Sequence, residues 1–167
     1  MLLKIQKMNW TKNKIVSLVE AKDIIKDWKN DHFKVVFTNG CFDILHLGHV
    51  DYLEKASKLG DKMVVGLNTD ASVSRIKGKD RPITDQVSRA RVMAALSFVD
   101  LVVYFDTETP FDLISELVPD VLVKGNDYLA ENIIGADIVL KNNGEVKTVE
   151  LVQGYSTSNI VQKIKNT

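Results

Sequence analysis

The sequence of 167 residues has few of the features that mark several large classes of protein. Its single cysteine excludes an internal disulfide and fits a reducing compartment, so we expect a cytoplasmic protein. Its 22 basic and 22 acidic residues give a formal net charge of zero, which provides no sign of a nucleic-acid or membrane partner. No apolar run has the length of a membrane-spanning helix, and lysines interrupt the apolar residues of 1–7 too early for a signal peptide.

Two common nucleotide-binding motifs are also missing. The sequence contains neither the Gly-x-Gly-x-x-Gly pattern of dinucleotide-binding proteins nor the Gly-x4-Gly-Lys-Ser/Thr pattern of P-loop proteins. Hydride transfer on a dinucleotide and P-loop phosphotransfer are therefore unsupported. No cysteine or acidic cluster at metal-ligand spacing accompanies the histidines, so we expect no protein-held metal.

Alternating strand and helix signals predict an α/β fold. A hydrophobic content of 45% and a charged content of 26% are ordinary for a soluble globular domain. Predicted strands cover 35–37, 63–67, 99–105, 121–123 and, at an edge, 145–151. Predicted helices cover 14–30, 49–59 (ended by Gly60), a short stretch from 71, 85–96, 110–117 and the residues from 160. We therefore expect one Rossmann-like domain with a doubly wound parallel five-stranded sheet. Residues 1–32 would form an N-terminal segment and helix packed on a domain of residues 33–167.

One stretch, residues 38–49, carries the strongest functional signal. It follows the first predicted strand and leads into a helix that starts near His49. Such a strand-loop-helix junction presents free backbone N–H groups to an anion. His46 and His49 are spaced to face the same anion, and Gly48 removes a side chain where phosphate would approach the backbone. This stretch predicts a phosphate site.

The stretch from Thr38 to His49 resembles the signature of the cytidylyltransferase-like nucleotidyltransferases. Within that family it is most similar to the adenylyltransferase domains of ADP-heptose synthases. Three further elements are similar: Lys-Gly-x-x-Arg-Pro at 77–82, Val-Lys-Gly-x-Asp-Tyr at 123–128 and Gly-x-Ser-Thr-Ser-x-Ile at 154–160. The resemblance covers residues 33–165.

The resemblance implies roles for particular residues. His46 and His49 are the expected catalytic residues, holding the α- and β-phosphates. The expected nucleotide-binding residues are Asn39, Gly40, Cys41, Phe42, Gly48, Lys124, Gly125, Asp127, Ser156, Thr157 and Ser158. The candidates for substrate or phosphate contact are Asp43, Asn68, Asp70, Lys77, Arg81 and Arg89. The alternative role for Asp43 is to order the loop, and the alternative role for Arg89 is to form a structural ion pair.

The implied reaction is adenylyl transfer from ATP, with Mg2+, to D-glycero-D-manno-heptose 1-phosphate. Since 167 residues leave no room for the sugar kinase domain of many ADP-heptose synthases, we expect a stand-alone adenylyltransferase. The expected partners are small-molecule substrates and, through exposed apolar residues such as Trp10 or Trp28, a second copy in a homodimer.

Three alternatives remain at this point. One is a glycerol-3-phosphate cytidylyltransferase, although the arginine of its Arg-x-x-Gly-Ile-Ser-Thr-Thr element is replaced by Leu151. Another is a non-catalytic nucleotide-binding module. The third is a fragment of a class I aminoacyl-tRNA synthetase, against which the missing Lys-Met-Ser-Lys-Ser element counts.

Overall fold

The computed structural model describes residues 10–127 and 132–167. Its centre is a six-stranded sheet in the order β1-β4-β3-β2-β5-β6, with every neighbouring pair parallel. The strands are β1 (Ile15–Val16), β2 (Val35–Gly40), β3 (Lys62–Asn68), β4 (Leu101–Phe105), β5 (Val121–Gly125) and β6 (Glu145–Val149). The helices are α1 (Trp10–Asn13), α2 (Leu18–Asn30), α3 (Leu47–Ser57), α4 (Asp70–Lys77), α5 (Gln86–Ala95), α6 (Phe111–Leu117), α7 (Ala136–Lys141) and α8 (Thr157–Lys165).

Short polar side chains start several of these helices. Ser17 forms a capping box with Glu20 at the start of α2. Thr69, Asp85 and Ser156 accept a backbone N–H at the starts of α4, α5 and α8. These caps set where each helix begins after its strand or loop.

The core lies in two clusters, one on each face of the sheet. Val35 and Phe37 of β2 point into one cluster, and Val36 between them points into the other. All three side chains are fully buried, as expected for a central parallel strand.

The α/β class and the five predicted strands are confirmed, but the sheet has a sixth strand. Ile15 and Val16 pair with Val102 and Val103 of β4 at the sheet edge. The sequence prediction placed them in a helix, because two residues are too short to show a strand period. Helix α7 was also missed, since its six residues lie in a segment rich in Gly and Asn.

Gly60 does not cap α3, which ends at Ser57 with Lys58 as its C-cap. It is instead the point of closest approach between this turn and β2. An added Cβ would lie 2.6 Å from the Lys34 carbonyl oxygen and 2.7 Å from Cγ2 of Val36.

We expect Gly60→Ala to destabilise the protein by about 1–3 kcal/mol, because the Lys34 main chain has to move to admit the methyl group. Urea denaturation measures this change in the free energy of unfolding. Gln162→Ala, at an exposed helix position, is the control and should stay within about 0.5 kcal/mol of the parent. A Gly60→Ala midpoint equal to that of the control would contradict the close approach.

Candidate active site

The carboxyl ends of β2 and β5 open into a cavity of about 630 Å3, here called the larger cavity. Its other walls come from the starts of α3 and α8 and from residues 77–84, here called the basic loop. It brings together many of the predicted site residues: Asn39, Phe42, His46, Gly48, His49, Lys77, Arg81, Lys124, Gly125, Asp127, Ser156, Thr157 and Ser158. All four sequence elements of the resemblance therefore meet at one edge of the sheet.

A second cavity of about 320 Å3, the smaller cavity, lies beside the first. Among the predicted site residues, Gly40, Cys41 and Asn68 line this cavity alone, and Asn39, Lys77 and Lys124 line both cavities. Sequence reasoning missed these lining residues: Tyr52, Leu151, Val152 and Tyr155 in the larger cavity, and Ile76, Glu108, Thr109, Pro110, Asn132, Ile133 and Ile134 in the smaller. Tyr52 had a usable signal, because it follows His49 by three residues on the same helix face.

The two histidines of the signature stack on each other. His46 is the N-cap of α3, and its ring centroid lies 3.7 Å from that of His49 with an interplanar angle of 24°. Phe42 packs edge-on against His49 at 5.3 Å. The Nδ1 atoms of both histidines are buried, and neither has a hydrogen-bond partner in the described part of the chain. Both rings line the larger cavity at the N-terminus of α3, a position that suits a bound anion.

Both histidines are neutral at pH 7. Burial, with smaller contributions from His46 and Lys77, lowers the pKa of His49 to about 4 against an opposing effect of Asp43. Burial also lowers the pKa of His46. A neutral imidazole still donates one N–H group to a phosphate oxygen. A bound polyanion favours the protonated ring and therefore raises the pKa.

We expect the His49 ring to titrate near pH 4 in the free protein and at a higher pH when α,β-methylene-ATP is bound. NMR of the ring nitrogens over the acid and neutral range measures both values. Since the folded protein disfavours the protonated ring, His49 makes folding stability rise with pH between about 4 and 6.5. Signals of His32 serve as the internal control and should not respond to nucleotide. An unchanged His49 titration at saturating nucleotide would contradict a phosphate contact.

Gly48 lies between the two histidines, at a close approach of chains. A Cβ there would be 3.1 Å from the His46 ring and 3.2 Å from Cβ of Tyr155. Any larger residue would therefore push the start of α3 away from the segment that precedes α8.

Asp43 orders the loops around the site. Its buried carboxylate accepts hydrogen bonds from the backbone N–H of Ile83 (2.8 Å), from the N–H and hydroxyl of Thr84 (2.9 and 2.8 Å) and from Nε of Arg81 (3.0 Å). Burial alone would raise the pKa of Asp43, but these hydrogen bonds and the Arg81 charge hold it below its usual value. Of the two roles considered for Asp43, this geometry favours loop ordering over contact with the acceptor.

Arg89 and Asp70, predicted to contact substrate or phosphate, pair with each other, which favours the structural role considered for Arg89. The buried Arg89 guanidinium donates to the carbonyl oxygens of Thr84 (3.0 Å) and Cys41 (2.7 Å) and to Oδ1 of Asp70 (2.6 Å). Among the described residues that line the two cavities, neither Arg89 nor Asp70 occurs. Their pairing supports the loop from beneath, which is the structural alternative.

Asn68 and Cys41 meet at the wall of the smaller cavity. The amide of Asn68 is buried and donates to the hydroxyl of Ser72 at 2.9 Å. The Cys41 thiol lies 3.8 Å from Oδ1 of Asn68, and burial raises its pKa. Cys41 is therefore a protonated wall residue at neutral pH rather than an activated nucleophile.

The Ser-Thr-Ser element has two structural contacts. The Ser156 hydroxyl accepts the N–H of Asn159 at 3.1 Å as the cap of α8, and the Thr157 hydroxyl donates to the Asp43 carbonyl at 2.6 Å. Ser158 lines the larger cavity without a side-chain hydrogen bond of its own within the described residues. Its hydroxyl and the N–H groups of the first turn are the groups of this element best suited to phosphate oxygens.

The end of β5 places Lys124 and Gly125 beside Asp127. Lys124 donates to Oδ1 of Asn39, and burial lowers the pKa of Lys124 to about 8 against the opposing charge of Asp127. A Cβ on Gly125 would lie 2.9 Å from Cδ1 of Leu151, so the main chain forms the cavity wall there. Tyr128, the last residue of this sequence element, lies outside the described residues.

Three predictions concern features beyond the cavities. Within residues 10–127 and 132–167, no three His, Cys, Asp or Glu side chains are grouped so as to hold a metal ion. None of the helices described is long and apolar enough to cross a membrane. Trp10 is 54% exposed, whereas Trp28 is partly buried, packs against the core and lies beneath Lys62.

Comparison with known proteins assigns these features to a family. A model of the cytidylyltransferase-like family matches residues 37–163. Bifunctional protein HldE from Magnetococcus marinus is 55% identical over 152 residues, which are 91% of this chain and 31% of that protein. HldE from Azorhizobium caulinodans is 53% identical over 151 residues, or 90% of this chain and 32% of that protein. The chain therefore spans about a third of the length of these relatives.

Solved structures agree with this assignment. The lipopolysaccharide core biosynthesis protein from Thermoplasma volcanium is 30% identical with a TM-score of 0.57, over 74% of this chain and 99% of that one. Pantothenate synthetase from Thermus thermophilus shares the fold alone, with a TM-score of 0.60 at 17% identity over 88% of this chain and 67% of that one. The family match extends over the signature loop, the basic loop and the start of α8. The chain belongs to the cytidylyltransferase-like family and is a nucleotidyltransferase.

Proposed function

We propose that this chain transfers AMP from ATP to D-glycero-D-manno-heptose 1-phosphate, giving ADP-heptose and pyrophosphate. The observation that carries the proposal is the meeting of four separate sequence elements at the larger cavity. These are the elements that resemble the adenylyltransferase domains of ADP-heptose synthases. The 55% identity to HldE over 91% of the chain adds support.

The chemistry needs positioning more than covalent help. A phosphate oxygen of the sugar phosphate attacks the α-phosphorus of ATP in line. The bond from that phosphorus to the bridging oxygen breaks, and pyrophosphate leaves with the electron pair. The attacking oxygen is already anionic at neutral pH, so no general base is required. Orientation and charge stabilisation then supply most of the rate.

In this proposal the side chains act at different parts of the nucleotide. His46 and His49 donate to oxygens of the α- and β-phosphates from the start of α3. The cations of the basic loop, Lys77 and Arg81, balance the charge of the outer phosphates together with Ser158. ATP enters as its Mg2+ complex, in which phosphate oxygens and water hold the ion.

The identity of residue 151 as leucine supports ATP and heptose phosphate as the substrates rather than CTP and glycerol phosphate. Leu151 takes the position of the arginine in the glycerol-3-phosphate cytidylyltransferase element, and it lines the larger cavity next to Gly125. An apolar side chain there provides no charge for a phosphate or a polar base.

The test is pyrophosphate release by the purified protein with Mg2+. ATP and CTP are each combined with the α- and β-anomers of heptose 1-phosphate and with glycerol 3-phosphate. Release with ATP and one heptose anomer, lost in His46→Ala, is the expected result. Turnover of CTP with glycerol 3-phosphate would replace the proposed substrates. Nucleotide binding without release in any combination would make the chain a binding module.

A further inference from the structure

The two cavities share a wall that contains two lysines. Of the residues that the structure describes, Asn39, Lys77 and Lys124 line both cavities. If the nucleotide occupies the larger cavity and the acceptor the smaller, the transferred phosphorus lies at this shared wall. This step rests on the proposed function, because that function requires both ligands at once.

We infer that Lys124 is a catalytic residue that contacts the oxygens of the transferred α-phosphoryl group from the wall between the cavities. In the family resemblance Lys124 is only one of several nucleotide-binding residues. The inference assigns it to the reacting group instead, with effects on turnover rather than on nucleotide affinity.

The polar groups of the smaller cavity suit the hydroxyls of an acceptor but not its phosphate. Glu108 lines this cavity together with Thr109 and Asn132. A carboxylate accepts hydrogen bonds from sugar hydroxyls and repels a phosphate. The acceptor phosphate is therefore expected at the wall that contains Lys77 and Lys124.

Lys124 is better placed than Lys77 to act on the reacting group. Lys77 is an exposed residue at the end of α4, where its ammonium group competes with solvent. Lys124 is half-buried at the end of β5, and its ammonium group is oriented by Oδ1 of Asn39 on β2. A charge fixed before the reaction stabilises developing negative charge more effectively than a mobile one.

A buried hydrogen-bond cluster fixes Lys124 relative to His49. The hydroxyls of Thr38 and Tyr52 each lie 3.0 Å from the carbonyl oxygen of Val123, next to Lys124, and 2.7 Å from each other. One hydroxyl donates to the carbonyl, and the other donates to it or to the first hydroxyl. Tyr52 lies one helical turn after His49 in α3, so the cluster links β5 next to Lys124 with the helix that carries His49, and both residues line the larger cavity.

The charge state of Lys124 agrees with this role. Burial lowers its pKa to about 8, so the ammonium form still predominates at pH 7. The other titratable or charged groups that line the larger cavity are Asp127, Lys77, Arg81, His46, His49, Tyr52 and Tyr155, and Glu108 lines the smaller cavity that Lys124 also lines. The two histidines are neutral at this pH, and the charge of Asp127 opposes the lowering of the Lys124 pKa. Activity that needs the ammonium form declines as the pH rises above about 8.

The test compares Lys124→Met with Lys141→Met, which changes an exposed lysine at the end of α7. We expect Lys124→Met to lower kcat by about 10²-fold, with the Kd of α,β-methylene-ATP changed by less than about threefold. Lys141→Met should have the same kcat and the same Kd for α,β-methylene-ATP as the parent. The basic limb of the pH profile near 8 should be absent from Lys124→Met. Added ethylamine should partly restore turnover in Lys124→Ala, which a purely structural role does not allow.

Several outcomes would overturn the inference: a kcat near that of the parent, a loss explained wholly by weaker nucleotide binding, or no rescue by the amine. If thermal unfolding shows that Lys124→Met does not fold, Lys124→Gln, which keeps a donor for Asn39, takes its place. Turnover of CTP with glycerol 3-phosphate would contradict the proposed substrates but not the role of Lys124, which is then tested with that substrate pair. No turnover with any substrate pair would contradict both the proposed function and the role of Lys124.

Discussion

Replacing His49 by alanine is expected to lower turnover by about 10²- to 10³-fold, as the loss of a preorganised donor to a developing charge typically does. The ring is held in place before any ligand binds, by the stack on His46 and the edge contact with Phe42. The ring lines the larger cavity, so the substitution removes a group from the wall of the proposed nucleotide site. Steady-state kinetics of pyrophosphate release measures the effect.

The matched control for His49→Ala is His32→Asn. His32 follows α2 with a φ of 64°, a left-handed conformation that asparagine tolerates well. It does not line either cavity, so its kinetics should equal those of the parent. A rise in KM with kcat unchanged in His49→Ala would limit the histidine to ground-state binding and contradict the charge-stabilising role.

Replacing Asp43 by alanine should destabilise the protein by about 3–5 kcal/mol, the usual range when one partner of a buried ion pair is removed. The substitution leaves the Arg81 guanidinium and the backbone N–H groups of Ile83 and Thr84 without their acceptor. Urea denaturation measures the loss. Asp23→Ala, on the exposed part of α2, is the control and should stay close to the parent.

The same carboxylate predicts how stability depends on pH. Because the folded protein lowers the pKa of Asp43, its contribution is fully present above the pKa of an unfolded Asp, about 3.9. It is lost as the pH falls below that value toward the folded pKa. Asp43→Ala should lack this acid-side loss. A stability difference between parent and variant that stays constant through the acid range would contradict the ionised, hydrogen-bonded Asp43.

The parts of the fold that follow from local patterns were predictable from sequence. The five apolar or alternating runs become β2 to β6, and their order along the chain already implies that the loops after β2, β3 and β5 share one edge. That edge contains both cavities. Proline at 110, before α6, and hydroxyl residues before α4 and α8 likewise mark helix starts in the sequence.

The pairing of polar side chains across long separations was not predictable. Asp43 is 41 residues from Thr84, and Arg89 is 48 residues from Cys41, so no periodic pattern connects them. A resemblance matches residues position by position and cannot separate an arginine that contacts phosphate from one that supports the loop beneath it. For the same reason the sequence did not reveal that Lys77 and Lys124 both lie on the wall between the cavities.

The bond from the Thr157 hydroxyl to the Asp43 carbonyl has a consequence for how the protein is made. It joins residues 114 positions apart, and the Asp43 side chain meanwhile binds residues 81–84. A ribosome releases the chain from its N-terminal side, so the central strands can pair while the start of α8 is still unsynthesised. The larger cavity, whose wall includes the start of α8, is therefore complete only after residues 156–158 have been synthesised.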